Sequence, residues 1–186
     1  MDKKQLRGEV KARIALLDPD YIAESDRAIF ARLCSLPEFI AAERVFTYFS
    51  IGREVDTTRL IDECFRRQKQ LALPCRLNAG HMSFALLSEP TESLPLGKLG
   101  IPEPPASSPV LVPRKGDIII VPALCYDLSC HRLGQGGGYY DRYLADCAAF
   151  SIGLCREPLL MDCVPVENFD MATDCLITEN KIARPN

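Results

Sequence analysis

The sequence predicts an α/β protein, a three-layer α/β/α sandwich around a mostly parallel, Rossmann-like sheet. Three observations predict it. Short β-branched or apolar runs alternate with helical patterns along the chain. One of those runs, residues 117–123 (DIIIVPA), is continuously apolar, as expected of a central strand buried on both faces. A glycine-rich turn follows that strand and leads into a helical segment, the place where open sheets of this kind bind ligands.

The elements follow in order. Residues 3–17 read as an amphipathic helix, because Leu6, Val10, Ile14 and Leu17 fall in one stripe and Lys4, Arg7 and Lys11 form a row beside it. Pro19, with Asp18 or Asp20, starts a second helix to about residue 36 with Ile22, Ile29, Phe30 and Leu33 inward, and a third short helical turn is expected at 37–42. The period then changes to that of a strand over residues 44–50 (RVFTYFS). Asp56, Thr57 and Thr58 form an N-cap cluster for a helix to about residue 70, with Leu60, Ile61, Cys64 and Phe65 inward. Strands are expected at 70–77, 82–87, 151–155 and 175–178, a helix from the glycine turn to about residue 149, and an irregular excursion at 88–116.

With 186 residues, the chain is expected to form a single domain, residues 1–186, that buries roughly 70% of its unfolded surface without a staple. Lys+Arg 22 against Asp+Glu 25 gives a net charge of −3, which argues against nucleic acid or an anionic membrane as partner. No apolar run is long enough to span a membrane, and the polar start MDKKQLRGEVKAR is unlike a signal peptide, so a cytoplasmic protein is expected. The nine cysteines are odd in number and contain no CxxC pair. They read as reduced, mostly buried small hydrophobes rather than as a disulfide framework or a zinc site.

The chemistry concentrates in Arg132-Leu133-Gly134-Gln135-Gly136-Gly137-Gly138-Tyr139-Tyr140-Asp141-Arg142. Four glycines in five positions let backbone N–H groups approach a ligand closely, and between a strand and a helix they suit a phosphate. Arg132 can add a charge-assisted clamp. There is no Gly-Lys-Ser/Thr, so this is not a Walker A loop, and Tyr139 stands where a dinucleotide fingerprint would want a small residue. Asp141 complements a helix start, and beside a polyphosphate it is also suited to Mg²⁺. A second magnesium carboxylate could come from Asp162, Glu167, Asp170, Asp174 or Glu179, among which spacing does not choose. Arg7 is the member of the basic row nearest a cleft, and the loop of residues 51–57 leaves the first strand where a substrate would be gripped.

Together these features resemble the 5-formyltetrahydrofolate cyclo-ligase (5,10-methenyltetrahydrofolate synthetase) family. The resemblance runs from Lys3 and Arg7 through Glu54-Val55-Asp56-Thr57, Gly100-Ile101-Pro102-Glu103-Pro104 and residues 118–122. It continues through the block 132–142, Ile152-Gly153-Leu154 and Pro165-x-Glu-x-x-Asp170. It implies ATP- and Mg²⁺-dependent cyclisation of 5-formyltetrahydrofolate, through phosphorylation of the formyl oxygen, by a monomer acting on a small molecule. By position it implies ATP contacts at Lys3, Lys4, Arg7, Arg132, Leu133, Gly134, Gln135, Gly136, Gly137, Gly138, Tyr139 and Tyr140. Folate contacts are implied at Ile51, Asp56 and the shared stretch Gln135, Gly136, Gly137, Gly138 and Tyr139. Asp141 and Asp170 match the magnesium ligands, and Arg132 and Asp141 are the residues expected to serve catalysis.

Two positions depart from the family pattern. Cys130 replaces a usual glycine, which predicts a differently shaped turn before Arg132, and Gln135 stands where a basic or aromatic residue is common. Tyr139 or Phe84 could stack on the pterin, with a core role the simpler reading of Phe84. The alternatives are a catalytically inactive folate- or nucleotide-binding module of the same fold, marked by binding without product, and an ATP-independent sugar-phosphate enzyme.

Overall fold

Asp2 opens the structure with a reciprocal cap, its side chain accepting from the Gln5 N–H while the Gln5 side chain accepts from the Asp2 N–H. The computed structural model describes residues 2–78, 81–91, 94–97 and 100–185, without the side chains of 76–78. Three helices come first: α1 (Lys3–Leu16), α2 (Pro19–Ser35, capped by Asp18) and α3 (Pro37–Ala41). Then follow β1 (Arg44–Phe46), α4 (Thr58–Arg66), β2 (Gln70–Asn78), β3 (His81–Leu87), β4 (Val110–Leu111) and β5 (Ile118–Val121). The remainder is β6 (Cys125–Asp127), β7 (Arg132–Leu133), α5 (Tyr139–Leu144), β8 (Phe150–Leu154), β9 (Leu160–Met161), β10 (Cys175–Ile177) and β11 (Ile182–Ala183). Among the described residues no helix is long and apolar enough to cross a membrane.

The main sheet has the order β11-β10-β8-β5-β1-β2-β3-β4. Its five inner strands, β10 to β2, are parallel, and β11, β3 and β4 add antiparallel edges. Successive side chains point to opposite faces, which divides the core. Val45, Leu71, Ile118, Ile120 and Ile152 face α2, α3 and α4, where they meet Ile29, Leu33, Phe39, Leu60 and Ile61. Phe46, Ala72, Ile119 and Val121 face the other way, toward Leu144 of α5. Beside that layer lies a small sheet, β7-β6-β9, against which α1 buries Leu6 and Val10. The three-layer sandwich and its mostly parallel sheet are therefore as the sequence predicts.

Boundaries differ where local chemistry intervenes. The first strand ends at Phe46 rather than residue 50, apart from one further bond from Thr47 N–H to the Ala72 carbonyl. Beyond it the chain curls back on itself: Thr57 Oγ1 donates to the Tyr48 carbonyl and accepts from Ser50 N–H, and the Tyr48 hydroxyl donates to the Val55 carbonyl. Thr57 is thus occupied and makes no side-chain cap on α4. Asp56 accepts from the Thr58 N–H instead. Helix α5 stops at Leu144, not near residue 149, because the chain must return to the start of β8, where Phe150 N–H meets the Asp117 carbonyl. In the expected excursion, β4 and a bridge between Leu96 and Pro102 form, while residues 92, 93, 98 and 99 lie outside the described residues. Phe84 is fully buried, edge-on to Phe46 with centroids 5.5 Å apart, and is a core residue.

Candidate active site

The carboxyl ends of β1 and β5 open onto a cavity of about 970 Å³. One side of it is cationic and glycine-rich. Helix α1 delivers Lys3, Lys4 and Arg7 to it, and β7 with the following loop delivers Arg132 and residues 133–140. The other side is largely apolar, with Tyr48, Phe49, Leu73, Met82, Ile101 and Pro122 in its wall. Asp141 and Asp170 complete the polar side. The chain thus gathers into one wall every site residue expected from sequence except Asp56.

The glycine loop is held from outside the loop. Arg7 Nε donates to the Gly134 carbonyl at 2.9 Å, and Arg142 donates to the Gly137 carbonyl at 2.6 Å with its guanidinium over the Tyr139 ring. Gly138 caps α5 at a φ of +63°, and Gly136 sits at +102°, conformations a side chain would strain. With the carbonyls so engaged, the N–H groups of residues 135–138 donate no bond within the chain among the described residues. Helix α5 has only six residues, so these loop amides, rather than a long helix dipole, are the donors offered to an anion.

Arg132 is nearly buried and joins the two halves of the acidic chemistry. Its Nη2 lies 2.7 Å from Asp141 Oδ1, and its Nη1 donates to the Met171 carbonyl. The same Asp141 oxygen accepts from the Met171 N–H at 3.2 Å. Lys3 Nζ lies 2.5 Å from Asp170 and 3.0 Å from Glu167. Burial opposes the charge on Lys3, but the hydrogen bonds to Asp170 and Glu167 outweigh it and its pKa is raised. Asp170 shows the converse: burial pushes it up, and Lys3 with the Glu167 N–H brings it below the usual carboxylate range.

Asp141 and Asp170 each bind the protein through one oxygen, and their other oxygens have no protein partner among the described residues. Two hard oxygen donors in the wall that carries the loop amides would suit Mg²⁺, which takes one or two carboxylates and completes its shell with water and phosphate. Among the described residues no group of three or more acidic, His or Cys side chains gathers as a self-sufficient metal cage.

Asp56 faces its own helix: its Oδ1 accepts from the Thr58 N–H at 2.9 Å and the Thr58 hydroxyl at 2.6 Å. Glu54, two residues earlier, lines the cavity in its place. Sequence reasoning also missed Tyr48, Phe49, Leu73 and Met82. Leu73 and Met82 lie within strands and Tyr48 and Phe49 just past β1, so all four read as core, though a place just past a parallel strand is itself a signal. Cys130 takes a φ of +64°, so the turn before Arg132 keeps a left-handed residue without a glycine.

Comparison with known proteins follows the same lines. The model of the 5-formyltetrahydrofolate cyclo-ligase family matches residues 1–179. A probable 5-formyltetrahydrofolate cyclo-ligase of Schizosaccharomyces pombe is 30% identical over 200 residues, covering 99% of this chain and 98% of that one. The Escherichia coli K12 5-formyltetrahydrofolate cyclo-ligase is 28% identical, covering 93% and 98%. The solution structure of the Aquifex aeolicus 5,10-methenyltetrahydrofolate synthetase superposes with a TM-score of 0.84 at 32% identity, covering 99% of this chain and 93% of that one. With the family pattern matched almost end to end and its glycine block set in the wall of the cavity, the chain belongs to the 5-formyltetrahydrofolate cyclo-ligase family.

Proposed function

We propose that the protein catalyses the ATP- and Mg²⁺-dependent cyclisation of 5-formyltetrahydrofolate to 5,10-methenyltetrahydrofolate, with release of ADP and phosphate. The observation that carries this reading is one cavity with a cationic, glycine-lined side and an apolar side. A triphosphate and a flat heterocycle need those two environments next to each other. The working form is a monomer made of one domain, with small molecules rather than nucleic acid as partners.

The chemical problem is the formamide oxygen, a poor leaving group. Transfer of the γ-phosphoryl group to that oxygen forms the O–P bond and releases ADP. N10 then attacks the formyl carbon and gives up its proton to solvent, the C–O bond breaks and phosphate departs. The protein's share is positioning and charge compensation, which needs no protein nucleophile. Lys3, Lys4, Arg7 and Arg132 hold the phosphates together with the amides of residues 134–138. Asp141 and Asp170 hold Mg²⁺, which when bound neutralises phosphate charge. Tyr139 and Ile51 flank the folate, and Tyr140 contacts the ATP.

The test is an absorbance assay for methenyltetrahydrofolate with each component omitted in turn. Product is expected only when ATP, Mg²⁺ and 5-formyltetrahydrofolate are all present. Full activity without ATP overturns the proposal.

A further inference from the structure

Most aromatic side chains of this fold are buried or half-buried. Among the described residues Phe169 is the only one that is exposed, at 66%. It stands in the wall of the main cavity beside Asp170, and the exposed Val166 belongs to the same wall. An exposed phenyl ring is unfavourable in water, and burying it against a ligand recovers that free energy. Two apolar side chains at the polar side of a pocket therefore mark surface available to a ligand.

The turn that carries the ring is fixed. Glu167 N–H donates to the Asp170 carboxylate at 2.6 Å, and Asp170 N–H returns to the Glu167 carbonyl at 2.9 Å. Lys3 binds both carboxylates and also lies over the phenyl ring, with Nζ 5.4 Å from its centroid. One face of the ring is thereby held by a cation–π contact. Binding against the exposed remainder then costs little ordering.

The surroundings select what binds there. A pterin has the apolar wall of Tyr48, Phe49, Leu73 and Met82 on the other side of the cavity. Phe169 stands instead on the cationic side, tied through Lys3 to the groups suited to phosphate. A phosphate gains nothing from a phenyl ring, whereas the base of a nucleotide presents a flat π face one ribose away from the phosphates. Tyr139, the ring that follows the glycines, is half-buried and already carries the Arg142 guanidinium.

We propose that Phe169, with Val166 beside it, is the platform on which the base of the bound nucleotide stacks. The nucleoside lies over residues 165–170, and the phosphates run from there past Lys3 to the glycine loop. This rests on the ATP reading above, and the experiment separates the two.

The chain contains no tryptophan, so Phe169→Trp places a single indole at the platform. The side chain is exposed, so neither this variant nor Phe169→Ala touches the core. Emission of Phe169→Trp is titrated with ATP, inorganic triphosphate and 5-formyltetrahydrofolate, each with Mg²⁺ and corrected for absorbance. Saturable quenching is expected with ATP, because a stacked purine quenches an indole, and none with triphosphate, which has no base. In steady state Phe169→Ala is expected to raise the ATP KM at least about 5-fold, the lower end of what a base–aromatic stack contributes, with the folate KM within about 2-fold. Phe169→Trp, which keeps a π face, should hold both constants within about 2-fold of wild type.

An indole emission that ATP leaves unchanged overturns the proposal. So does equal quenching by triphosphate, quenching by the folate and not by ATP, or an unchanged ATP KM in Phe169→Ala. Wild type that makes product without ATP refutes the parent reading instead.

Discussion

Cys130 occupies a backbone region that L side chains avoid at a cost of about 1–2 kcal/mol. The turn requires it: Asp127 accepts from the N–H groups of Ser129 and His131, the Cys130 N–H returns to the Asp127 carbonyl, and Thr173 donates to the Cys130 carbonyl. Cys130→Gly should therefore stay within ~1 kcal/mol of wild type, because backbone relief offsets a lost buried thiol. Cys130→Val should lose at least ~2 kcal/mol, since β-branching is worst there. Urea unfolding of both variants checks this, and a stable Val variant would contradict the turn geometry. Asp141→Asn should fold but lose at least ~100-fold in kcat, beyond the usual effect of disturbing a group behind a metal ligand. Circular dichroism and the absorbance assay test the two halves of that statement. At this scale the sequence points to Arg132, Asp141 and the glycines, whose chemistry is unusual wherever it occurs, and the structure sets them in one cavity wall. It did not separate Glu54 from Asp56. Two carboxylates in Glu-Val-Asp look alike until the curl of residues 48–57 turns one into the cavity and the other onto Thr58.

Helices and strands were legible in proportion to their length. The stripe of α1 and the four buried residues of β5 carry enough pattern to be read directly. The sheet β7-β6-β9 was not read, because strands of two or three residues have no measurable period. Yet it matters to the larger sheet through one contact. A Cβ on Gly153, in the middle of β8, would lie 2.5 Å from ring atoms of Tyr126 on β6. Tyr126 is fully buried with its hydroxyl on the Val121 carbonyl at 2.7 Å, so it has nowhere to move. Gly153→Ala should destabilise the protein by about 1–3 kcal/mol, the usual penalty for overpacking a dense core. The gain from a stiffer backbone, roughly 0.5–1 kcal/mol, is too small to offset it. Thermal unfolding measures the balance, and a raised Tm would show that the two sheets are not in contact as described.

Across the whole molecule the cavity draws on α1, the end of β1, the loop after β7 and residues 165–170. No one element contains the cavity lining, which is why a sequence points to single residues but not to their arrangement. The cysteines show the same dependence on the complete fold. All nine are reduced thiols; six are buried, Cys34 and Cys147 are half-buried, and Cys163 is exposed. Burial pushes the thiols of Cys64 and Cys125 up to about 12 and those of Cys130 and Cys175 to about 11, and it also raises Cys34, Cys147 and Cys155. A neutral maleimide should therefore label one site promptly in the native state and nine after unfolding, as counted by intact mass. Several fast-reacting thiols would contradict the burial pattern.

Cys163 lies two residues before Pro165, where the chain enters the cavity wall. A single fluorophore coupled there, with no cysteine removed by engineering, gives an optical reporter on the rim of the pocket, so that filling of the site can be followed as an emission change in the otherwise unaltered chain.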